Sequence, residues 1–547
     1  LTRTRRAIEI QLGGESRLIA AEDAARYRDA FGCNVPLGLP LAFTDPVAHP
    51  LESLVARYAR THGPFTASDV AHRFASPVER IVGALTALEA ADRVVHGEFR
   101  PGGIGREYCD VDVLRQLRRR SLATLRREVE PVEPEAYARF IQIWHGIPGE
   151  RHGLESLVEA LAQLQGAALV ASTVERELLP ARLRSYRPAD LDELCTTGDV
   201  VWVGSGALGP NDGRIRLYFA DQFAAIDASL EVAETPDSPL HDAIRSHLTS
   251  HGASFWNQLR AASSDATDAE LLAALWDLVW AGEVGNDSFA PLRAVLSGGK
   301  SSRSPAAHRG RPRPGRLTRI GPPAGAGRWS LVAPQRSPAP SPTQAAHASA
   351  MQLLERYGVV TREAVLAEGV RGGYAAAYAV LKVLEERGQV RRGYFVAGLG
   401  AAQFALPGAV DRLRSARDVP DPSLHPELLP APLVLSATDP AQPYGAALDW
   451  PESPGRPSRT GGAMVVLRNG VPLVWFDRRS SHLVTFPASV DSSWADALAT
   501  LVKDGRQRSI EVRKVNGAPV ERQGSESVAL LAAGFVEGYR GFVLRGV

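Results

Sequence analysis

The sequence is poor in sulfur-containing residues and has no long apolar run. Among its 547 residues are three cysteines and two methionines. The cysteines, Cys33, Cys109 and Cys195, are far apart and show no CxxC spacing. They therefore fit neither a disulfide framework nor a zinc site, which favours the reducing cytosol. Because no apolar stretch reaches about 18 residues, the sequence predicts no membrane-spanning helix.

An excess of charge of one sign is also missing. The chain has 62 Lys and Arg against 61 Asp and Glu, a formal net charge of +1. Any affinity for nucleic acid must therefore come from local basic clusters. A chain of this length is too long for one core, so about three to five domains are expected. The first residue is Leu1 and not Met, and we expect the sequence to be a piece of a longer polypeptide.

Three segments of the chain repeat one pattern. Each has an apolar helix that ends near a glycine (Gly63, Gly252 and Gly358), where a helix end needs a left-handed residue. Each then has a Leu-x-x-Leu helix face, a Val six residues later and a Phe five residues after that. The residues are Leu85, Leu88, Val94 and Phe99; Leu275, Leu278, Val284 and Phe289; Leu381, Leu384, Val390 and Phe395.

This pattern predicts a helix, a turn, two further helices and a hairpin, which is a winged helix. A fourth and more divergent copy has the Leu191-x-x-Leu194 face followed by Val200–Val203. Plain helical bundles with hairpins remain the alternative, although three copies share the same spacing.

The C-terminal part shows a different pattern. Short β-prone runs with turn signals between them follow residue 430, and Asn469-Gly470 is a strong hairpin signal. A helix is expected around Trp494–Val502. We predict an α+β fold of tandem winged-helix modules followed by a C-terminal β-barrel-like domain.

The predicted organisation assigns every part of the chain. It consists of 1–45, the end of a preceding domain or a linker; 46–110, winged helix 1; 111–150, an Arg-rich helical connector; 151–235, winged helix 2; 236–298, winged helix 3; 299–343, a flexible basic Pro/Gly/Arg-rich linker; 344–418, winged helix 4; and 430–547, the β-barrel-like domain. Within the linker, the island Arg328–Val332 is expected to form a strand.

Two apparent motifs carry little weight. Gly299-Lys300-Ser301 matches a relaxed phosphate loop, but a proline-rich tract follows where the phosphate-binding helix should begin. His247 and His251 are one helical turn apart, as two metal ligands would be, but they lack a third ligand nearby. We interpret them as a solvated helix edge and predict no metal site.

Basic clusters are the stronger signal, because arginine pairs with phosphate in a bidentate way. The predicted DNA-binding residues of the connector are Arg115, Arg118, Arg119, Arg120, Arg126 and Arg127. Those of winged helix 4 are Tyr374, Tyr378 and Lys382 in its recognition helix and Arg391 and Arg392 in its wing. A solvated charged surface, and tyrosines that pack on a neighbouring module, are the structural alternatives.

One carboxylate is a candidate for catalysis. Trp475-Phe-Asp477-Arg478-Arg479 offers an aromatic wall, a carboxylate and two phosphate-binding arginines, as base excision from DNA would need. Strand alternation places Trp475 and Asp477 on one face and Phe476 on the other. The plainer interpretation is a strand that ends in an exposed Asp–Arg turn.

Several runs of the sequence resemble a known family. They are Ala59–Thr66, Gly97–Gly103, Leu117–Leu122, Leu275–Val284, Arg392–Val396, Gly398–Phe404 and Asp439–Gly445. In collinear order over nearly the whole chain, these runs resemble the C-terminal region of Lhr, the bacterial large helicase-related proteins of helicase superfamily II.

The resemblance implies function as well as fold. Lhr proteins are ATP-dependent 3′–5′ DNA helicases of DNA repair, so the implied partners are DNA (single-stranded or with a 3′ tail), an RNA:DNA hybrid, the helicase core in cis and further copies of the chain, a tetramer being what the family suggests. ATP and Mg belong to the motor core, whose motifs are absent here, so no cofactor is expected in this region. The implied location is the bacterial cytoplasm, at the nucleoid. A DNA glycosylase module for uracil or a damaged base and a pure oligomerisation scaffold remain as alternatives.

Overall fold

The computed structural model describes residues 6–100, 105–117, 120, 130–228, 230, 235–298, 321–418 and 429–546. The chain divides into two compact units, Leu1–Glu130 (unit 1) and Pro131–Val547 (unit 2). No helix of the described ranges is long and apolar enough to cross a membrane.

Unit 1 contains a β-hairpin followed by a helical module with a second hairpin. Its elements are β1 (Ala7–Leu12), β2 (Glu15–Ala20), α1 (Ala24–Phe31), α2 (Pro50–Thr61), α3 (Ala67–Phe74), α4 (Val78–Ala90), β3 (Val94–Gly97) and β4 (Glu107–Asp110). One core spans both parts, because Ile10 of β1 belongs to the same buried cluster as Leu54, Val70 and Leu85. The described part of residues 1–45, predicted as the end of a preceding domain or a linker, thus shares a core with the module that follows. We name the module of α2 to β4 module 1.

Unit 2 begins with a helix, α5, and a second module. The elements are α5 (Pro134–Trp144), α6 (Leu154–Leu164), β5 (Leu169–Val170), α7 (Ala171–Thr173), a π-helical turn (Val174–Leu178), α8 (Leu179–Arg182), α9 (Pro188–Thr197), β6 (Val200–Ala207), β7 (Gly213–Phe219) and α10 (Ala220–Asp227). Module 2 consists of α6 to β7. Its long wing tip between β6 and β7 agrees with the Gly-rich run that the sequence shows there.

Module 3 is completed by a strand from beyond the proline-rich tract. Its elements are α11 (Pro239–His251), β8 (Ser254–Phe255), α12 (Trp256–Ala262), α13 (Asp268–Trp280), β9 (Val284–Asn286), α14 (Ala290–Leu296) and β10 (Arg328–Leu331). Strand β10 pairs with both β8 and β9, and the side chain of Trp329 is fully buried. The predicted strand at 328–332 is confirmed. The basic segment predicted to link modules 3 and 4 instead connects two strands of module 3, and its residues 299–320 lie outside the described ranges.

Module 4 follows in the same arrangement. Its elements are α15 (Pro342–Tyr357), β11 (Val359–Val360), α16 (Arg362–Ala367), α17 (Gly373–Glu386), β12 (Arg391–Gly393), β13 (Gln403–Ala405) and the trailing α18 (Pro407–Ser415). Alanines favour α17, and its buried residues Ala377, Leu381 and Leu384 recur at helical spacing.

The three modules of unit 2 share one sheet topology. In each, the first short strand pairs with the second wing strand, which pairs with the first wing strand, giving the orders β5-β7-β6, β8-β10-β9 and β11-β13-β12. In module 1 the β3-β4 hairpin is joined in the same way by a bridge between Phe65 and Tyr108. This repeated order confirms tandem winged helices.

The helices of the modules begin where the sequence supplies caps. Reciprocal hydrogen bonds between the N-cap residue and the residue three positions later satisfy two backbone N–H groups at each start. The pairs are Thr66 and Asp69 at α3, Thr267 and Glu270 at α13, and Ser341 and Gln344 at α15.

The C-terminal domain has two sheets and two helices. Its elements are β14 (Leu433–Ser436), β15 (Ala463–Arg468), β16 (Val471–Asp477), β17 (His482–Thr485), α19 (Ser493–Lys503), β18 (Ser509–Val512), β19 (Lys514–Val515), β20 (Ala518–Pro519), α20 (Ser525–Ala532), β21 (Val536–Gly538) and β22 (Gly541–Arg545). The orders are β14-β15-β16-β17-β19-β20 and β18-β22-β21. Among the described strands these sheets are open, so the mixed α+β character is confirmed and the barrel stays a prediction.

Both faces of the larger sheet are buried. Trp475 and Val465 lie in the core that also contains residues of module 4 and of α5. Phe476 and Met464, which point the other way, lie in a core with α19 and α20. The alternation predicted for Trp475 and Phe476 is confirmed, and the sheet forms the middle layer between module 4 and the two terminal helices.

Candidate nucleic-acid interface

In a winged helix the third helix is the one that enters the DNA groove, so its exposure decides whether a module can bind DNA in this way. In module 2 that helix is α9, whose acidic Asp192 is held by the neighbouring module. Arg293 of α14 donates to Asp192 across 2.6 Å and to Glu175 across 2.6 Å, and the backbone N–H of Phe289 donates to Asp192. This acidic helix contacts protein.

In module 3 the third helix is α13, which the wing of module 2 covers. A Cβ atom at Gly204 of β6 would lie 1.8 Å from the carbonyl oxygen of Val279, so only glycine allows this approach. The rings of Trp202 and Trp276 stack beside it with centroids 6.5 Å apart. Modules 2 and 3 therefore share one core, and the third helix of each contacts the other module.

The third helix of module 4, α17, is free on its outer side. Exposed residues on that side are Ala375, Ala376, Ala379, Lys382, Val383 and Glu386. Small side chains let the helix backbone come close to a groove. Among the described third helices of unit 2, α17 is thus the one available to a nucleic acid.

The two tyrosines of α17 have mostly structural contacts. The hydroxyl of Tyr374 donates to the carbonyl oxygen of Ala402, and burial raises the pKa of Tyr374 above its usual value. The ring of Tyr378 meets Phe404 edge-on at 5.5 Å. Both tyrosines are partly buried against the module 4 core. Their role in DNA binding stays a prediction, and the geometry favours packing.

Cationic side chains surround the free face of α17. Arg371, Arg387 and Arg391 are exposed, and within the described part of the chain their guanidinium groups have no ion-pair partner. Arg392 lies over the ring of Tyr378 at 5.6 Å and is 3.9 Å from Glu385. Lys382 is likewise 3.9 Å from Glu386. Pairs this long and this exposed contribute little stability and leave the cations available.

The wing beside these cations is fixed by one buried amide. The carboxamide oxygen of Gln403 accepts hydrogen bonds from the backbone N–H groups of Phe395 (2.8 Å) and Val396 (2.9 Å). Its nitrogen donates to the carbonyl oxygen of Val396. Tyr394 next to them is 66% exposed. The buried Gln403 thus holds Tyr394 and the wing arginines on the outside.

The C-terminal candidates lie elsewhere, at the junction of module 2 and the C-terminal domain. Asp477 caps the turn after β16: it accepts from the N–H groups of Arg479 and Ser480 and from the Ser480 hydroxyl. Arg478 donates to Glu177 across 2.7 Å, and Arg479 is 3.4 Å from Asp212. The geometry favours the plainer interpretation of an Asp–Arg turn at the end of a strand, with Arg479 exposed and Asp477 and Arg478 half-buried, and a catalytic role of Asp477 stays a prediction.

The connector arginines are only partly described. Residues 111–117 are helical, and Arg115 donates to Asp112 across 2.9 Å on the exposed surface of unit 1. Arg120 is described and takes part in an interaction. Arg118, Arg119, Arg126 and Arg127 lie outside the described residues.

Sequence reasoning missed Arg371, Arg176 and Gln403. Arg371 precedes α17 by two positions, and the Gly-rich run around it could have marked a helix start. Arg176 is flanked by Glu175 and Glu177, which hides its charge in the sequence, although the π-helical turn leaves it exposed. A single glutamine gives no sequence signal for the role that Gln403 has.

These features define a tandem winged-helix protein, a class in which a free helix and wing bind DNA. Three winged-helix domain models of the large helicase-related protein match the chain: the second at residues 1–46, the third at 132–220 and the fourth at 339–424. The chain belongs to the large helicase-related (Lhr) family and corresponds to its C-terminal region.

Two curated relatives match almost the whole chain. The Lhr helicase/probable uracil glycosylase of Mycolicibacterium smegmatis is 43% identical over 99% of this chain and 37% of its own length. The Lhr helicase/uracil glycosylase of Escherichia coli K12 is 32% identical over 98% of this chain and 36% of its own length. The chain thus spans little more than a third of these relatives.

Among solved structures, the DNA glycosylase AlkZ of Streptomyces sahachiroi aligns with a TM-score of 0.40 and 12% identity. The alignment covers 72% of this chain and all of that one.

Proposed function

We propose that this chain is the DNA-binding region of an Lhr-type ATP-dependent 3′–5′ helicase of DNA repair, and that module 4 contacts the DNA. The observation that carries this proposal is the free, alanine-lined face of α17 between Arg371, Arg387 and Arg391. In modules 2 and 3 the corresponding helices contact the neighbouring module. The chain itself supplies no motor, so ATP and Mg act in the remainder of the parent protein.

Substitution of the two wing-side cations tests this proposal. Arg387→Ala with Arg391→Ala removes side chains that have no ion-pair partner among the described residues, so the fold should be unaffected. We expect duplex and 3′-tailed DNA to bind roughly tenfold more weakly, with the slope of log K against log salt reduced by about 2. Fluorescence anisotropy measures both.

The matched control removes two exposed arginines from other surfaces, Arg184→Ala with Arg540→Ala. It should bind as the wild type does. Equal binding by the module 4 variant and the wild type, at equal melting temperature, would contradict the proposal. A 3′-tailed duplex and an RNA:DNA hybrid of the same sequence, compared in the same assay, show which of the two this chain binds more tightly.

Base excision is the second candidate function. The printed names of the M. smegmatis and E. coli relatives include uracil glycosylase, and they align with 99% and 98% of this chain. Of Asp212 and Asp477, both at the junction of module 2 and the C-terminal domain, Asp212 lines a cavity whereas Asp477 caps a turn. Such chemistry needs a carboxylate beside the sugar of a flipped nucleotide, so Asp212, which lines a space large enough for a nucleotide, is the better placed of the two.

An oligonucleotide that contains uracil, treated with alkali after incubation to reveal abasic sites, tests this second function. Strand cleavage that is lost in Asp212→Asn but kept in Asp477→Ala assigns the carboxylate. Loss only in Asp477→Ala would return that role to Asp477. No cleavage by a preparation that binds the same oligonucleotide would exclude the activity.

Self-association is the third candidate, and it has its own surface. In the C-terminal domain, Val528 and Leu531 of α20 are 63% and 48% exposed, and Val536 and Tyr539 are 60% and 95% exposed. Strand β21 is at the edge of its sheet among the described strands. An exposed apolar edge of this kind favours pairing with another chain. Light scattering should show an oligomer that dissociates in Val536→Lys with Tyr539→Glu; a monomeric wild type at micromolar concentration excludes the scaffold.

A further inference from the structure

A cavity of about 570 Å³ lies between module 2 and the C-terminal domain. Module 2 contributes Ser172, Arg176 and the wing tip Leu208–Asp212, and the C-terminal domain contributes Gly462, Arg478, Arg479, Gln507 and Ser509. This volume is within the usual range of about 300–1,000 Å³ for sites that hold small molecules. A nucleotide fits such a space, and a DNA duplex does not.

The side chains that line the cavity carry mainly positive charge, and they differ in whether they already have hydrogen-bond or ion-pair partners. Arg478 is held by Glu177 and by the carbonyl oxygen of Gly462, which fixes it in the wall. Arg479 has a side chain that is 61% exposed and meets Asp212 only at 3.4 Å. Arg176 is exposed, and its guanidinium has no partner in the part of the chain that the structure describes. Two cations are therefore available to an anion.

Asp212 is the carboxylate that lines the cavity, and it already accepts hydrogen bonds from neighbouring groups. It accepts from the Ser172 hydroxyl at 2.7 Å, from the Ser172 N–H at 3.2 Å and from the Gly213 N–H at 3.0 Å. Because these donors satisfy it, its long contact with Arg479 is the weakest of the set. Arg479 can therefore turn to an incoming phosphate without leaving Asp212 unpaired.

The neutral polar side chains of the lining are uncommitted. Asn211, Gln507 and Ser509 have no side-chain hydrogen bond within the described ranges. They supply amide and hydroxyl donors beside Arg176 and Arg479. The described lining contains no aromatic ring, and its apolar part consists of Leu208, Pro210 and Leu296. Such a surface recognises phosphate and sugar and does not stack bases.

We propose that this groove binds the phosphodiester backbone of a single DNA strand, with Arg176 and Arg479 as its phosphate ligands. The inference rests on the proposal that the chain binds DNA, but it concerns a second surface, separate from module 4. Because no base is stacked, binding is independent of sequence. It is also salt-dependent, since each arginine that neutralises a phosphate releases counterions.

Anisotropy with a fluorescein-labelled oligothymidylate of about six nucleotides tests the groove. We expect Arg176→Glu and Arg479→Glu each to weaken binding about tenfold, and Arg176→Ala to reduce the magnitude of the salt slope by about 0.7. Arg184→Glu is the matched control, since Arg184 is exposed in the same module but does not line the cavity. An oligoadenylate of equal length should bind within twofold of the oligothymidylate.

The guanidinium of Arg176 has no hydrogen bond or ion pair in the described structure, so its variants should keep the fold, and wild-type affinity in Arg176→Glu would overturn the inference. The inference would also be overturned if inorganic phosphate displaced the oligonucleotide as effectively as an equal concentration of thymidylate units. The groove would then be a site for free phosphate. The module 4 variant separates the two proposals: it should lose duplex binding and keep the short single strand. If the module 4 variant loses duplex binding while Arg176→Glu binds the short single strand as the wild type does, only the module 4 proposal is supported.

Discussion

Arg182 at the end of α8 and Asp439 after β14 form a bidentate ion pair that joins module 2 to the C-terminal domain. The two guanidinium nitrogens donate to the two carboxylate oxygens across 2.7 and 2.9 Å. Each side chain is 1% exposed. His145 of the α5 end completes the cluster, with its Nδ1 3.1 Å from the guanidinium.

Removal of Asp439 should destabilise unit 2 strongly. Asp439→Ala leaves the Arg182 charge buried without a counter-charge, which costs about 3–5 kcal/mol. Urea denaturation monitored by tryptophan fluorescence measures the loss in free energy of unfolding. Asp449→Ala, at an exposed position of the same region, is the control and should change it by less than about 0.5 kcal/mol. A loss of that small size in Asp439→Ala would show that the pair contributes no net stability.

The cluster also predicts a pH dependence. Burial, and then the charge of Arg182, hold the pKa of His145 well below 6.5, so the folded protein keeps this imidazole neutral. The unfolded chain takes up a proton as pH falls through about 6.5, and stability is lost at up to about 1.4 kcal/mol per pH unit below it. His145→Gln should flatten the curve between about pH 6 and pH 5. Parallel curves for the variant and the wild type would contradict this assignment.

Asp439 acts in a lower pH window. Burial alone would raise the pKa of its carboxyl group, but the charge and hydrogen bonds of Arg182 outweigh burial and hold that pKa below 3.8. Its stabilising contribution is therefore complete above that value and is lost as pH falls below it. The His145→Gln variant should still lose the stabilising contribution of Asp439 during acid unfolding, as the pH falls below that value.

Tyr374 tests whether α17 uses its tyrosines for packing or for DNA. Tyr374→Phe removes the hydroxyl that donates to Ala402 and keeps the ring. We expect a loss of about 1 kcal/mol in stability with unchanged DNA affinity. A tenfold loss of affinity at unchanged stability would instead make Tyr374 a DNA ligand, as the sequence suggested.

Strand β10 belongs to module 3 although it follows the basic segment, and this predicts how the protein behaves when it is cleaved in that segment. Because β10 pairs with β8 and β9 and Trp329 is fully buried, cleavage between residues 299 and 320 should leave the two pieces associated. Gel filtration after cleavage at a protease site placed there measures this. Trp329→Ala, which costs about 3–5 kcal/mol by removing a buried ring, should let the pieces separate. Separation of the cut wild type would show that the strand pairing is too weak to hold them.

The sequence predicted the modules well because a winged helix is encoded locally. Leu275, Leu278, Val284 and Phe289 are all buried in one core, as their spacing implied. The strand at Trp329 could also be predicted, because a short apolar run within a proline-rich tract indicates a segment that packs against a core. Such signals depend on residues close in sequence, and so they can be found without the fold.

Contacts between distant segments could not be predicted. Arg182 and Asp439 are 257 residues apart, and nothing in either local sequence indicates the other. The same is true of Gly204 against Val279, which decides that α13 is covered. The candidate site shows the same limit and stays a prediction: Arg478 and Arg479 looked alike in sequence, but Arg478 pairs with Glu177 whereas the side chain of Arg479 is exposed.

The contacts of α9 and α13 with each other's modules have a consequence for the number of DNA-binding surfaces. A chain of repeated DNA-binding modules would be expected to gain avidity with every copy. Here two of the three third helices in unit 2 contact each other's modules, so duplication has added protein–protein contacts and leaves one third helix for the proposed contact with DNA. The proposed duplex-binding surface of unit 2 then consists of one helix and its wing, and the other modules enlarge the body that holds them.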